Sequence, residues 1–444
     1  MGTHHLLLSI ALLAAAALPT RAHGQITEQW LTQWGTSSDD LGYGVVVDAA
    51  GRTWVSGLTS GSLGGANAGG NDLFLTPLST TGALGTSVQR GGTSDDAGLA
   101  ATVLGGSTVF GVGYTQSTIW DGAAVVGGYD PVAVGYSTAG TYQSTTRGGS
   151  TGSDAALAAA GNATHLLMAG YATGTIDGQA SLGGSDAFLS KRTSTGALVW
   201  TRTVGTSATD EAWGAAWDNA GNGYVVGHTA GSLPTFTNPG SFDLFLARYD
   251  AGGTQTLLRQ WGTSGTEFAS DIEVDVSGNI YLTGSTSGAL GGQTNQGSLD
   301  AFLTKLDSSG NVLWTRLLGG TGTDQSTAVA LDAAGNVWIG GYSPSTFGGH
   351  TNAGGHDAFV ALYDSAGTLL GTRFWGTTGD DRINGLAAAA DGSVSASGYT
   401  SGTLGAASAG SYDAFAVSVV PEPGSGLLLL GGAALLGLHR RRQG

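Results

Sequence analysis

The chain has 444 residues, 80 of them glycine, no cysteine, and a formal net charge of −16. Without thiols neither disulfides nor thiolate metal sites can form, and 32 acidic against 16 basic residues leave no cationic surface for phosphate, which argues against nucleic acid. Glycine at this level without a period would mean a fibre or disorder, but 41% hydrophobic residues are enough for a core.

Residues 1–24 read as a Sec-type signal peptide. Leu6 to Leu18 form an apolar stretch too short to span a bilayer, and Ala22-His23-Gly24 offers small residues at the −3 and −1 positions. Cleavage by signal peptidase is expected between Gly24 and Gln25. The segment before the apolar stretch lacks Lys and Arg and carries only His4 and His5, so a retained anchor is the alternative.

Residues 25–420 form one predicted domain of seven repeats. The strand-ending glycines Gly57, Gly113, Gly170, Gly227, Gly284, Gly341 and Gly398 recur every 56 or 57 residues, and a fixed period of this kind marks a repeat architecture. A Gly-Thr or Gly-Ser pair keeps the same beat from Gly35 to Gly376. So does an Asp followed two positions later by a large apolar residue, from Asp72/Phe74 to Asp413/Phe415. In the second copy this pair is replaced by Asp130-Pro131-Val132. Within the fifth copy, Ser270 to Val276, Ile280 to Ser285, Asp300 to Leu306 and Val312 to Leu318 alternate as strands. Asp275 to Asn279 and Asp307 to Asn311 are Asp-x-x-Gly-Asn turns, and a polar loop runs from Thr286 to Leu299. Four short strands per copy describe one blade of a β-propeller. The last copy stops at its third strand, Asp413 to Val419, while Gln29 to Trp34 reads like the fourth strands elsewhere. An N-terminal strand is therefore expected to pair into the C-terminal blade and hide both sheet edges.

These copies resemble the bacterial seven-bladed beta-propeller repeat family, most plainly over Asp332-Ala-Ala-Gly-Asn-Val-Trp-Ile-Gly-Gly-Tyr342. The resemblance covers roughly residues 30–419 and implies the all-β propeller fold and export. It implies no single chemistry.

Residues 421–444 carry a second signal. Pro421-Glu422-Pro423 precedes an apolar run, Leu427 to Leu438, and then Arg440-Arg441-Arg442. A proline pair to end the last strand, a short membrane helix over 427–438 and cytoplasmic arginines follow from elementary rules. The run is shorter than the ~20 residues of a full span, so retention is weak or temporary. This end resembles the PEP-CTERM sorting signal of Gram-negative bacteria. The resemblance implies recognition of Pro421 to Pro423 by an exosortase-type membrane peptidase, transient inner-membrane anchoring, and delivery to the surface or medium of a bacterium making extracellular polysaccharide. An ordinary C-terminal anchor is the alternative.

Candidate chemistry in the body is sparse. A carboxylate follows each Gly-Thr or Gly-Ser pair: Asp39, Asp95, Asp154, Asp210, Glu267, Asp324 and Asp380. These would ring the channel mouth and could hold Ca²⁺, which takes about 6 to 8 oxygen ligands, or they are structural Asx turns. The strand-start aspartates from Asp72 to Asp413 read as backbone caps. His350 and His356 beside Asp357 could bind Zn²⁺ or Ni²⁺ or be solvated loop residues. No histidine stands in a nucleophile context. Trp34, Trp200, Trp261, Trp314 and Trp375 are expected to pack between blades, and Trp120, in the unusual loop of the second copy, is the choice for a sugar-stacking platform. The sequence thus points to an exported, non-catalytic surface or matrix propeller that binds polysaccharide or envelope components and needs no cofactor. A polysaccharide-active hydrolase or lyase using mouth carboxylates and a cation-stabilised scaffold are the alternatives.

Overall fold

The computed structural model describes residues 26–422 apart from 121, 122 and 125, so the predicted signal peptide, Pro423, the 427–438 run and Arg440 to Arg442 lie outside the described residues. Seven four-stranded antiparallel sheets follow one another around a central channel, and in each complete copy the strands run outward in chain order. The innermost strands are Asp40–Val47, Asp96–Leu104, Asp154–Gly161, Asp210–Trp217, Glu267–Val274, Gln325–Leu331 and Asp381–Ala388, and we number the blades 1 to 7 in that order. In blade 5 the expected third and fourth strands are found as Asp300–Leu306 and Val312–Leu318, while the first begins three residues early, at Glu267. The degenerate second copy still builds four strands and adds a two-residue hairpin, Ile119–Trp120 with Ala123–Ala124. Among the described residues no helix is long and apolar enough to cross a membrane.

The ring closes as expected. Strand Ile26–Trp34 pairs antiparallel with Asp413–Pro421, from Ile26 opposite Pro421 to Trp34 opposite Ala414, and becomes the outer strand of blade 7. Its Gln33 shows that it is a true fourth strand. The Gln33 Nε2 donates to Asp413 Oδ2 at 2.9 Å, as Gln89 donates to Asp72 and Gln260 to Asp243 within their own blades. The core is correspondingly modular, with one hydrophobic cluster in each of the seven gaps between neighbouring blades. The gap across the closure is filled like the rest, with Trp34, Ala414 and Ala416 of blade 7 against Val45, Val55 and Phe74 of blade 1. The repeated phenylalanines, Phe74 through Phe415, are all buried in these gaps.

The repeat glycine has a specific cause. Each innermost strand bulges once, between residues such as Ala269 and Asp271 or Ile383 and Gly385, which carries its backbone toward the second strand. A Cβ on the partner glycine would then lie 1.7 Å from the Arg382 carbonyl at Gly398 and 1.8 Å from the Ala155 carbonyl at Gly170. No side chain fits there, and so the glycine recurs.

The turn chemistry holds as well. In blade 5, Gly278 takes φ +82° and donates to the Asp275 carbonyl, while the Asn279 backbone N–H donates to Asp275 Oδ1 at 2.8 Å.

Candidate functional site

The carboxylates expected to ring the mouth are spent on the backbone. Asp154, Asp210, Glu267 and Asp324 are fully buried at the starts of the innermost strands. Each accepts the backbone N–H four residues earlier, from Ser150, Thr206, Thr263 and Gly320, at 2.5 to 2.7 Å. In blades 1, 2 and 7 the same place is held by Asp40, Asp96 and Asp381, which corrects the choice of Asp39, Asp95 and Asp380. Two acids stand in succession in those copies, and only the second reaches the strand. Asp39, Asp95 and Asp380 sit half-buried in the loop, where Asp95 accepts the Asn71 N–H at 3.0 Å. Among the described residues no three His, Asp or Glu side chains converge on a position for a metal ion.

At each seam this cap faces the strand-start aspartate of the preceding blade. Asp72 caps the Ala68 N–H at 3.0 Å and Asp300 the Gln296 N–H at 2.8 Å. The Oδ1 atoms of Asp72, Asp130, Asp186, Asp243, Asp300 and Asp357 are buried without a partner. Burial, reinforced by the acid across the seam, raises Asp40, Asp210, Asp243, Asp300 and Asp381 above the usual 3.8 and pushes Asp96 and Asp130 up to about 6. An acid whose folded value is raised contributes stability that is fully present below its unfolded value and is lost as pH rises through the folded one. Asp275 works oppositely: burial would raise it, but hydrogen bonds from Asn279, Ser277 and Tyr281 together hold it low, so its contribution is lost in stronger acid. We therefore expect the melting temperature to fall as pH rises from 4.5 to 7. Asp130→Asn should flatten that slope, and a slope unchanged by the substitution would remove Asp130 as a source.

The other expected sites move too. Trp120 is 1% exposed among Trp54, Leu73, Val109 and Val132, so it cannot be a stacking platform. The blade 2 hairpin folds it into the seam with blade 1, where its carbonyl accepts Arg147 Nη1 at 2.6 Å. His350 and His356 do not share a site. The first stacks on Phe374 at 4.1 Å and bonds Asp357 at 2.6 Å, while the second bonds Asp380 at 2.7 Å. Trp34, Trp200 and Trp375 are buried as expected.

The central channel has a volume of about 1330 Å³, and its wall is lopsided. The residues extruded at the bulges line it: Leu99, Leu157 and Trp213 on blades 2 to 4, but Ser270, Thr327 and Asn384 on blades 5 to 7. Around one mouth runs an aromatic rim. Tyr399 lies 6.4 Å from Tyr43 and 5.4 Å from Tyr412, and Tyr114 meets Tyr129 edge-on at 4.9 Å. On blade 4, Trp213, 41% exposed, stacks on His228. Burial leads every shift in the rim's titratable groups. It raises Tyr43, Tyr171, Tyr342 and Tyr399, pushes Tyr114 up to about 12, and drops His228 to about 4, so these rings are uncharged at neutral pH, while Glu211, raised by burial, accepts the Trp213 indole N–H at 3.2 Å beside them.

Further ionisable groups stand in the mouth and along the wall. Arg382 sits in the rim with its guanidinium 4.3 Å from the Tyr342 ring and 5.8 Å from the Tyr399 ring. Deeper, on blade 5, Asp271 and Glu273 are two residues apart on one strand of the wall. Burial pushes Asp271 up to about 7, and burial with the charge of Asp271 pushes Glu273 up to about 8. Asp271 Oδ2 accepts the Val329 N–H at 2.9 Å, satisfying one of the backbone donors that the innermost strand of blade 6 turns to the channel.

Sequence reasoning missed this rim although its signal was present. The residue after the repeat glycine is Tyr in four blades, at Tyr114, Tyr171, Tyr342 and Tyr399. Each pairs directly opposite the residue that follows the buried cap, which places it at the mouth. Asp271 and Glu273 were legible as a departure from the repeat, since no other innermost strand carries acids beyond its first two positions.

Residues 313–348 match the family described as beta-propeller repeat, and residues 419–443 match the PEP-CTERM protein-sorting motif. Regulatory protein FlaEY of Caulobacter vibrioides is 26% identical over 162 residues, 33% of this chain, and the match spans only 17% of that protein's length. Among solved structures, the PQQ-bound aldose sugar dehydrogenase of Streptomyces coelicolor is similar over 79% of this chain and 99% of its own. It is 13% identical, with a TM-score of 0.38. A luciferin-regenerating enzyme covers 70% and 87% at 11% identity, with a TM-score of 0.34. The chain is a seven-bladed β-propeller that carries the beta-propeller repeat and, after its last blade, a PEP-CTERM protein-sorting motif, which implies export and processing by an exosortase-type system.

Proposed function

We propose that the protein is a non-catalytic surface or matrix propeller whose aromatic channel mouth binds polysaccharide. Signal peptidase would release it at Gln25, and the sorting tail would hold it at the inner membrane before delivery to the surface. The observation that carries the reading is the rim itself: half-buried tyrosines and Trp213 around a wide channel, with phenol and amide groups among them. Sugar rings bind to such walls through their apolar faces while hydroxyls take the polar groups, the usual division of labour in a small-molecule site.

The test is retention of the purified protein on the extracellular polysaccharide of the producing organism, with calcium and with excess chelator, while the polymer's length is followed. Retention without shortening is expected, with at least a tenfold loss in Tyr399→Ala. Full retention in that variant, or none in the wild type, would sink the reading. Loss in chelator would place an ion in the contact.

One observation favours a polysaccharide-active hydrolase or lyase as the second reading. Asp271 and Glu273, raised to about 7 and about 8 by burial, hold protons near neutral pH as a general acid must. Shortening of the polymer, abolished by Asp271→Asn or Glu273→Gln, would replace binding with catalysis.

A further inference from the structure

We infer that Arg382 makes the channel mouth a subsite for an acidic sugar, its guanidinium taking the carboxylate of a hexuronate unit whose ring lies against the flanking tyrosines. The inference rests on the polysaccharide-binding reading and adds the ligand's charge to it.

Arg52 pairs with Asp48 at 2.7 Å, Arg192 with Asp177 at 3.0 Å and Arg373 with Glu28 at 2.9 Å. Arg202, Arg259 and Arg316 donate to backbone carbonyls of the neighbouring blade. Arg382 has neither kind of partner. Among the described residues no carboxylate lies within 4.0 Å of it, and its Nε, like those of Arg192 and Arg373, is buried without an acceptor, but unlike them it has no carboxylate on its terminal nitrogens. The two acids just before it in sequence are engaged elsewhere: Asp381 caps the Thr377 N–H, and Asp380 is bound to His356. The groups that face the guanidinium are the phenols of Tyr342 and Tyr399, with Tyr43 and the His356-bound Asp380 close enough to feel its charge. Tyr342 in turn donates to Gln325 Oε1 at 2.5 Å, so its ring is held in place.

A guanidinium held half-buried with an unsatisfied N–H costs free energy unless an acceptor arrives. Its planar fork of donors matches a carboxylate bidentately, whereas a neutral sugar hydroxyl satisfies only one donor at a time. Binding at the rim also leaves the sugar ring on aromatic walls, which a free inorganic anion would not use. Asp271 and Glu273 lie farther down the channel on blade 5 and would oppose an anion only when ionised. The overall charge of −16 repels anions at long range, so Arg382 acts by local recognition and not by steering.

The experiment is calorimetric titration of the purified protein with a tetrauronide and with the same oligomer after its carboxyl groups have been reduced to alcohols. The expected result is at least tenfold tighter binding of the acidic oligomer, a preference lost in Arg382→Gln, with both proteins showing the same melting temperature. Arg382→Lys should keep part of the preference, since it keeps the charge and loses the fork. Equal binding of both oligomers, unchanged in Arg382→Gln, would overturn the inference and leave polysaccharide binding standing. Binding of neither oligomer would overturn it too, and retention on whole polymer in Tyr399→Ala then decides the broader reading by itself. Displacement of the tetrauronide by an equal concentration of inorganic phosphate would show a plain anion site and also overturn it.

Discussion

Deletion of residues 26–34 is expected to abolish cooperative folding of the ring. The segment supplies a whole strand of blade 7 and packs into the gaps on both sides of that blade, Ile26 toward blade 6 and Trp34 toward blade 1, 6% and 7% exposed. Losing two such side chains costs about 2 to 5 kcal/mol each, against a total stability of about 5 to 15 kcal/mol for a typical domain. The loss goes beyond packing. Gln33 holds Asp413 and accepts the Leu404 N–H, and Glu28 joins Arg373 and the Trp375 indole of blade 6 to the closing strand. Without them the third strand of blade 7 becomes an exposed edge, open to pairing with another chain. Urea denaturation should lose its single sharp transition, and size-exclusion chromatography should show oligomers. A peptide of residues 25–35 added in trans should restore the monomer. A deleted chain with an unchanged midpoint would refute closure by this strand.

Gly398→Ala is the single substitution with the largest expected effect, a loss of at least 3 kcal/mol. The added methyl would stand 1.7 Å from the Arg382 carbonyl and 2.8 Å from its carbonyl carbon, both backbone atoms that cannot swing aside. Gly392 provides the contrast. It sits in a turn at φ +88° with open space around it, so Gly392→Ala meets no atom and pays only for its backbone conformation, about 1 kcal/mol. Thermal unfolding of the two variants separates close approach from conformational preference. Equal losses would mean that the bulged strand can retreat. Because the obstructing carbonyl belongs to Arg382, Gly398→Ala should also disturb binding at the mouth in whatever fraction remains folded.

Local chemistry carried most of the fold. The Asp-x-x-Gly-Asn turns, the alternating strands and the repeat of Gly57 to Gly398 depend on residues close in sequence, and a one-dimensional period reports them directly. Closure by Gln29 to Trp34 was legible because that segment copies the Trp and Gln positions of the other outer strands. The site was less legible. A doubled acid such as Asp39-Asp40 does not say which member enters the strand, and that is decided by which one meets the Thr36 N–H. Trp120 looked like a free aromatic because its loop has no counterpart in the other copies, yet the space between blades 1 and 2 takes it in.

The sequence by itself determined that the chain builds seven equal blades, that its first strand completes its last, and that a sorting motif follows, since all three are written in periodic or contiguous residues. The tertiary structure alone decided which carboxylates remain free for chemistry. It turned the repeated acids inward as backbone caps and brought Tyr43, Tyr342, Arg382 and Tyr399, hundreds of residues apart at the extremes, to one mouth. The physical reason is ring closure: neighbours around a circular array include the first and last blades, and residues at one height on different innermost strands meet only across the axis.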